Sequence, residues 1–367
     1  MKKHTFKVSL LASAIGLASA PTIAADLRID GFTSIVYGQA LDKDELPSSG
    51  RFLGYDEKAS FEPDSIYGVQ FRSQLEDGLS VTGQIVGRGS EDFDAKVNWA
   101  YLSYELTDEL TIHAGRQRIP FFIYSDFLDV GYAYTWISPP DEVYGLSGFD
   151  NMEGIKLEHY TDIADWTSRL SFLYGASSAT LNSDGTVINI DSEDFWDLTW
   201  SLNRDWLTIH LTYSESQVSL DAFDVPATTI NAILTGANPA FALTQEELNY
   251  LTTDNDKSTF MGVGVAGDWG KFFAAAEYTD INIDDSPTGK DRKSYYVMVG
   301  HRMGKTTLAL TAAGQDSPNN EQSLAILDDP TNSAVLAGAV SAAPALAQVI
   351  GAYRGGYERT LFSYRTL

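Results

Sequence analysis

FWDLTWSLNRDWLTIHLTYS, residues 195–214, shows the pattern that decides the fold. In its first half, tryptophan and leucine alternate with aspartate, threonine and serine; the second half repeats the alternation after a short Asn-Arg-Asp turn. Strict alternation of apolar and polar residues is typical of a β-strand with one apolar and one polar face. We therefore expect a hairpin of two antiparallel strands, at 195–203 and 206–217.

The same period of two recurs along the whole chain and predicts fourteen strands. Besides these two, strands are expected at 27–39, 65–75, 79–88, 96–106, 110–117, 153–160, 166–175, 258–269, 272–283, 293–302 and 306–315, and from about residue 357. Each has about the ten residues that a tilted strand needs to cross a bilayer. Short turns join the strands at one end and mostly longer loops at the other, which is typical of a transmembrane antiparallel β-barrel. We expect an all-β chain whose apolar faces meet lipid and whose polar faces meet water.

The N-terminus and the composition indicate an exported protein. Residues 1–25 combine a basic start, an apolar stretch too short to span a membrane and small residues before Asp26, as in a secretory signal peptide. Residues 26–367 are then expected to form a single barrel domain without disulfides, because the chain has no cysteine. With 25 basic and 50 acidic side chains, the chain lacks the basic surface that nucleic-acid binding requires.

The connection at 117–152 is too long and too structured to be a turn. It carries the aromatic residues Tyr132, Tyr134, Trp136 and Tyr144 and the acidic residues Asp126, Asp129, Asp141 and Glu142. We interpret it as a loop that folds into the barrel and narrows a pore. Its aromatic side chains either offer a track for sugars or, as is more common, pack the loop against the wall.

Basic residues on the polar faces of neighbouring strands are predicted to line the opposite wall. By strand parity these are Arg72, Arg88, Lys156 and Arg169, and Arg116 and Arg118 lie at the end of the fifth strand. A pore selects by its radius and by the field at its narrowest point. A cationic wall opposite an anionic loop would produce a transverse field. The alternatives are that each basic residue is a satisfied charge at a strand end, or that Arg116 and Arg118 hold the loop's own carboxylates.

Two further loops are predicted to be helical or collapsed lids over the mouth of the barrel. Residues 334–353 are uncharged, but Pro344 and the high content of alanine and glycine argue against a spanning helix. Residues 228–250 resemble a second lid, and Thr244 is placed to start a short helix.

Nothing in the sequence favours catalysis. The histidines are scattered, and neither a Gly-x-Ser-x-Gly motif nor a His/Cys cluster with metal-ligand spacing occurs. We expect no enzyme activity and no cofactor. The acidic runs at 254–256 and 284–285 can bind divalent cations such as calcium weakly, although such runs are more often simply solvated.

Several motifs resemble the Gram-negative trimeric porins of the general-diffusion superfamily, in a marine gammaproteobacterial branch. They are Gly115-Arg116-Gln117-Arg118-Ile119-Pro120, Tyr124-Ser125-Asp126, Asp129-Val130-Gly131-Tyr132-Ala133-Tyr134, Trp136-Ile137-Ser138-Pro139-Pro140, Phe61-Glu62-Pro63-Asp64-Ser65 and Asn98-Trp99-Ala100-Tyr101. In that superfamily the loop after strand five folds into the bore, which is where the long connection falls here. The chain departs from the family in the short loop at 89–95, where such porins often carry a latch onto the neighbouring subunit.

The resemblance implies a homotrimer in the outer membrane of a Gram-negative bacterium, surrounded by lipid and lipopolysaccharide, that admits small hydrophilic solutes and ions by passive diffusion. A substrate-specific channel, and a barrel acting as an adhesin or enzyme, stay open as alternatives. The family has sixteen strands, so we expect a further C-terminal hairpin beyond Leu367; the alternative is a genuine fourteen-stranded barrel.

Overall fold

The computed structural model describes residues 26–40, 55–146, 150–183, 186–221, 224–287, 291–318, 320–342, 350, 353 and 357–366. Fourteen strands form one antiparallel sheet in which every strand pairs with its neighbours in sequence order. The strands are β1 (Asp26–Ser34), β2 (Ile66–Glu76), β3 (Leu79–Arg88), β4 (Ala95–Glu105), β5 (Leu110–Arg118), β6 (Asn151–Ile163), β7 (Trp166–Ser183), β8 (Thr186–Arg204), β9 (Leu207–Leu220), β10 (Thr253–Asp268), β11 (Phe272–Ile283), β12 (Asp291–Met303), β13 (Thr306–Ser317) and β14 (Tyr357–Thr366).

The expected all-β antiparallel architecture is confirmed, and β3 and β11 have the predicted bounds. The largest difference is in β7 and β8, which have 18 and 19 residues and continue as a paired hairpin through most of the predicted loop at 176–194. The threonine, valine and isoleucine residues of this stretch favour extended backbone even where no strict alternation marks it. β1, in contrast, ends at Ser34 rather than at residue 39.

The two faces of the sheet reverse the usual distribution of polar and apolar residues. Large apolar side chains such as Leu198 and Val263 are 44% and 47% exposed. The polar residues Asp197 and Thr199, on either side of Leu198 in β8, are buried. Thr212, which pairs with Thr199 from β9, is buried as well. Exposed apolar surface on this scale marks a face that another apolar phase covers.

The sheet curls around the segment that connects β5 and β6. We call its described residues, 119–146 and 150, the inner segment. From this segment, Asp129 reaches Arg88 of β3 and Trp136 reaches Thr311 of β13. A flat sheet of this width would hold those two strands far apart, so the contacts require a strongly curved sheet with its polar face inward. β1 and β14 lie at the two ends of the strand order and do not pair with each other within the described residues.

Among the described residues, five α-helices accompany the sheet: α1 (Asp141–Tyr144) in the inner segment, then α2 (Asp224–Ala237), α3 (Gln245–Asn249), α4 (Glu321–Asp328) and α5 (Pro330–Ala342) in the two long loops. The helical character predicted for both loops is thus confirmed, and Thr244 caps α3 through a capping box. The loop helices share an apolar cluster that includes Ile230, Leu234 and Leu336. Within the part of the chain that the structure describes, none of the helices has the length and apolar character needed to span a membrane.

Candidate functional site

Local sequence directs the inner segment away from the strand that precedes it. The chain leaves β5 at Arg118 and enters Ile119-Pro120, and proline cannot donate to a further ladder hydrogen bond. Ser125 then closes a tight turn, because its Oγ accepts a hydrogen bond from the Phe122 backbone N–H at 2.9 Å. A single 3-10 turn, Ser125–Phe127, follows. The segment therefore leaves the sheet at once and crosses its polar face.

Asp129 is the centre of the first attachment of the inner segment to the wall. Its Oδ1 accepts from Arg88 Nη2 at 2.8 Å, and its Oδ2 accepts from Arg118 Nη2 at 2.7 Å and from Asn98 Nδ2 at 3.0 Å. Arg118 also donates to Asp150 Oδ2 at 3.2 Å and to the Ser125 carbonyl at 3.1 Å. This arrangement confirms one of the alternatives for Arg118, which holds the loop's own carboxylates.

A second attachment joins Asp126 to β7 of the wall. Asp126 Oδ2 lies 2.7 Å from Arg169 Nη1, and Arg169 Nη2 lies 3.1 Å from Glu158 Oε1. Glu158 also contacts Lys156 Nζ at 3.1 Å and His113 Nε2 at 3.0 Å. Of the predicted basic wall residues, Arg88, Arg118 and Arg169 thus contact the inner segment, in direct ion pairs rather than across open water.

The carboxylates of Asp126 and Asp129 stay ionised because of these ion pairs. Burial raises the pKa of Asp129, but the guanidinium groups of Arg118 and Arg88 outweigh burial and hold that pKa below its usual value. The same balance, with Arg169 as the cation, lowers the pKa of Asp126. Both attachments are therefore fully formed at neutral pH.

We expect acid to remove the contribution of Asp129 to stability only below about pH 4, the ordinary aspartate pKa. A depressed pKa in the folded state means stabilisation that is complete above the unfolded-state pKa and is lost as the pH falls through the folded-state value. The measurement is the melting temperature in detergent of the wild type and of Asp129→Asn between pH 8 and pH 2.5. The gap between them should be constant down to about pH 5 and then shrink; a gap that already shrinks between pH 8 and pH 6 would contradict the assignment.

The aromatic residues mainly pack the segment against the wall. Trp136 is buried and its Nε1 donates to Thr311 Oγ1 at 2.9 Å. Tyr144 is also buried, and Tyr134 donates from its hydroxyl to the Leu128 carbonyl at 2.9 Å. Tyr132 differs from the others, since it is 81% exposed. Trp136 and Tyr144 thus support packing against the wall rather than a continuous sugar track, and Tyr134 packs within the segment itself.

Glu277 of β11 is a third attachment that the sequence analysis missed. Its carboxylate accepts from the Ile123 backbone N–H at 2.9 Å and from the Tyr296 hydroxyl at 2.8 Å. The Tyr144 hydroxyl, on the inner segment, donates to it as well. The only signal in the sequence was a glutamate at an inward position of β11, and that signal does not identify its partners.

The remaining predicted site residues take other positions. Glu142 of α1 is 1% exposed, so it does not present its charge to open space as expected. Asp141, next to it, is exposed and lines a polar cavity. Arg116 pairs with exposed Glu153 at 3.2 Å, and Arg72 is exposed on the polar face of β2. The predicted transverse field of separate charges is thus replaced by paired charges at Arg88, Arg118, Lys156 and Arg169.

A polar cavity of about 550 Å³ adjoins the first attachment. Its lining includes Asp64, Arg88, Lys96, Asp129 and Asp141. Both signs of charge occur around it, which suits water and polar solutes better than apolar ones. In the described residues, no group of three or more histidine, cysteine, aspartate or glutamate side chains is arranged to hold a metal ion.

Neither a protein-family model nor a curated protein sequence matches the chain. Solved outer-membrane porins are similar to it in structure. A Salmonella typhi OmpF complex with daunomycin shares 12% identity over 80% of this chain and 82% of that one, with a TM-score of 0.49. The outer-membrane channel DcaP of Acinetobacter baumannii shares 12% identity over 94% and 97%, with a TM-score of 0.38. An anion-selective porin from Comamonas acidovorans shares 12% identity over 80% and 89%, with a TM-score of 0.36. At these values the likeness assigns neither a solute nor an assembly to this chain.

Proposed function

We propose that this chain forms a water-filled channel in the outer membrane of a Gram-negative bacterium and admits small hydrophilic solutes and ions by passive diffusion. The observation that carries the proposal is the reversed sheet, apolar on its convex face and polar on its concave face. Lipid cannot hydrogen-bond a backbone, so a sheet that spans a bilayer must pair its strands with one another and expose apolar side chains outward.

The inner segment is the proposed constriction. It crosses the polar face from β3 to β13 and is attached by Asp129, Asp126 and Glu277. A segment fixed at three places sets a pore of constant size rather than a mobile gate. The polar cavity beside it has ion pairs and exposed carboxylates in its lining, which suits hydrated solutes.

We further propose that three copies assemble in the membrane, with lipid and lipopolysaccharide around them and without a cofactor. The trimer follows from the sequence resemblance to trimeric porins, and the acidic loop residues are the proposed contacts for weakly bound divalent cations at the rim. Mass measurement of the detergent-purified protein tests the trimer, and a monomer at all concentrations would contradict it.

The channel itself is tested by single-channel recording of the purified protein in planar bilayers with potassium chloride. We expect steps of constant conductance that do not saturate with salt, and liposome swelling with several unrelated sugars and amino acids. Saturation by one solute would favour a substrate-specific channel instead. Absence of conductance from protein shown to be folded and inserted would contradict any channel.

The lipid-facing assignment gives a prediction at Val263, in the middle of β10. Val263→Lys should destabilise the barrel in bilayers by about 2–4 kcal/mol, because a lysine at the middle of the lipid-facing surface must lose its hydration. Chemical unfolding from liposomes measures this free energy. The matched controls are Val263→Leu, which keeps an apolar side chain, and Gln70→Lys, which adds the same charge on the polar face of β2. Equal destabilisation by both lysine variants would contradict the assignment of faces.

A further inference from the structure

A second cavity, of about 400 Å³, lies on the other side of the inner segment from the polar cavity. We call it the apolar chamber and define it by Phe121, Leu146, Phe195, Phe260, Ile281 and Ser192, all of which line it. Its volume falls within the range of small-molecule binding sites. Most of its walls are hydrocarbon, unlike the charged lining of the polar cavity.

Three phenylalanine rings give the chamber a defined shape. The Phe121 ring centroid lies 4.4 Å from that of Phe260 and 6.1 Å from that of Phe195, and the second pair meets edge to face at 77°. Phe121 belongs to the inner segment, whereas Phe195 and Phe260 belong to β8 and β10. These three rings are packed against one another and form one aromatic surface on the wall of the chamber, against which a further ring can pack edge to face or offset.

One buried hydroxyl in the chamber has no hydrogen-bond partner within the described structure. Ser192 is 1% exposed, lines the chamber, and its Oγ makes no hydrogen bond. A buried polar group without a partner costs free energy, so natural proteins rarely keep one unless a ligand or water completes it. Ser214 and Ser216, both buried, add two further hydroxyl-bearing side chains to the same lining.

The charged groups around the chamber are already engaged. Arg292 lines it and donates from Nη2 to the Glu142 carbonyl at 3.0 Å. Glu215 also lines it and lies 2.9 Å from Lys257 Nζ. A charged ligand would have to leave water for hydrocarbon walls, whereas an uncharged one would not incur that cost.

We propose that the apolar chamber binds an uncharged aromatic small molecule that carries one hydrogen-bonding group. Its ring lies in the chamber against the surface formed by Phe121, Phe195 and Phe260, and its polar group bonds with Ser192 Oγ. This goes beyond the passage of hydrophilic solutes and rests on the proposed channel only for the route by which the ligand enters.

The test uses 2-naphthol as the probe and follows its fluorescence in a titration with the full-length protein in detergent. We expect saturable binding of one probe per chain. Ser192→Ala should weaken binding about 2- to 10-fold, the usual range for one hydrogen bond. Ser214→Phe, which places a ring inside the chamber, should abolish it. Ser178→Phe, a matched change in the lining of the polar cavity, should leave binding unchanged.

Besides a failure of the protein to bind 2-naphthol, two outcomes would overturn the proposal. One is binding that Ser214→Phe leaves intact, which would mean that the probe partitions into detergent. The other is tighter binding of the anion 2-naphthalenesulfonate than of 2-naphthol, which would mean that the chamber selects charge. Heat-modifiable migration on gels checks that each variant is folded. Conductance of the same preparations separates the two proposals, because a conducting protein that does not bind 2-naphthol refutes the chamber site alone.

Discussion

Arg118→Ala is expected to detach the first part of the inner segment and to destabilise the protein by about 3–5 kcal/mol, the usual cost of breaking a buried ion pair by removing one partner. The Arg118 side chain is 3% exposed, and its removal deprives Asp129, Asp150 and the Ser125 carbonyl of their donor at once. Asp129 would stay buried and keep its ion pair with Arg88, but it would lose its ion pair with Arg118.

Chemical unfolding from liposomes measures the loss of stability, and single-channel recording measures the effect on the pore. We expect larger and noisier current steps, because the segment next to the polar cavity is no longer fixed. Arg116→Ala is the matched control: Arg116 is two residues away and makes one partly exposed pair with Glu153, so its loss should cost at most about 1 kcal/mol. Similar unfolding curves for the two variants would contradict the role assigned to Arg118.

Glu277→Leu is expected to have an effect of similar size through hydrogen bonds rather than ion pairs. It removes the acceptor shared by the Ile123 N–H, the Tyr144 hydroxyl and the Tyr296 hydroxyl, each of which loses this carboxylate as its partner. At about 1–3 kcal/mol for each buried donor left unsatisfied, we expect a loss of about 3–5 kcal/mol after local rearrangement. Glu277→Gln, which keeps an acceptor oxygen and the side-chain volume, should lose much less.

Single-channel current distinguishes two roles for Glu277: a residue that holds the inner segment in place, and a residue that only fills space in the wall. In Glu277→Leu the inner segment should fluctuate, so the current should switch between conductance levels, and Glu277→Gln should restore a single level. A third variant, Thr279→Leu, changes a buried polar residue of the same strand that does not contact the inner segment in the bonds described above. Switching in Thr279→Leu to the same extent would show that any polar-to-apolar change in β11 disturbs the pore.

The strands were predictable because alternation is a local property with a fixed period, as residues 195–214 show. The extension of β7 and β8 was not, since serine, threonine and asparagine residues blur the pattern even where pairing continues, as between Ala179 and Ile190. The charge of the inner segment was also readable. The residues that pair with these charges could be predicted only in part, because strand parity tells which face of the sheet a side chain occupies but not how strongly the sheet curves.

Glu142 and Glu277 illustrate the limit of predicting side-chain contacts from the sequence alone. Both are acidic, but Glu142 is buried in α1, and no spacing rule predicts how a four-residue helix docks. Glu277 gains its meaning from Ile123 and Tyr144, which lie more than a hundred residues earlier in the chain. Such contacts depend on how the curved sheet folds around the inner segment and have no counterpart in local sequence.

The helices of the two long loops imply an order of events during assembly. The Tyr353 hydroxyl donates to the Leu251 carbonyl at 2.9 Å, across a sequence separation of 102 residues. Bringing such distant residues together costs chain entropy unless the strands between them have already paired in register. The helices α2 to α5 of the two long loops should therefore be the last part to dock when the nascent chain folds, and the first part to detach on warming.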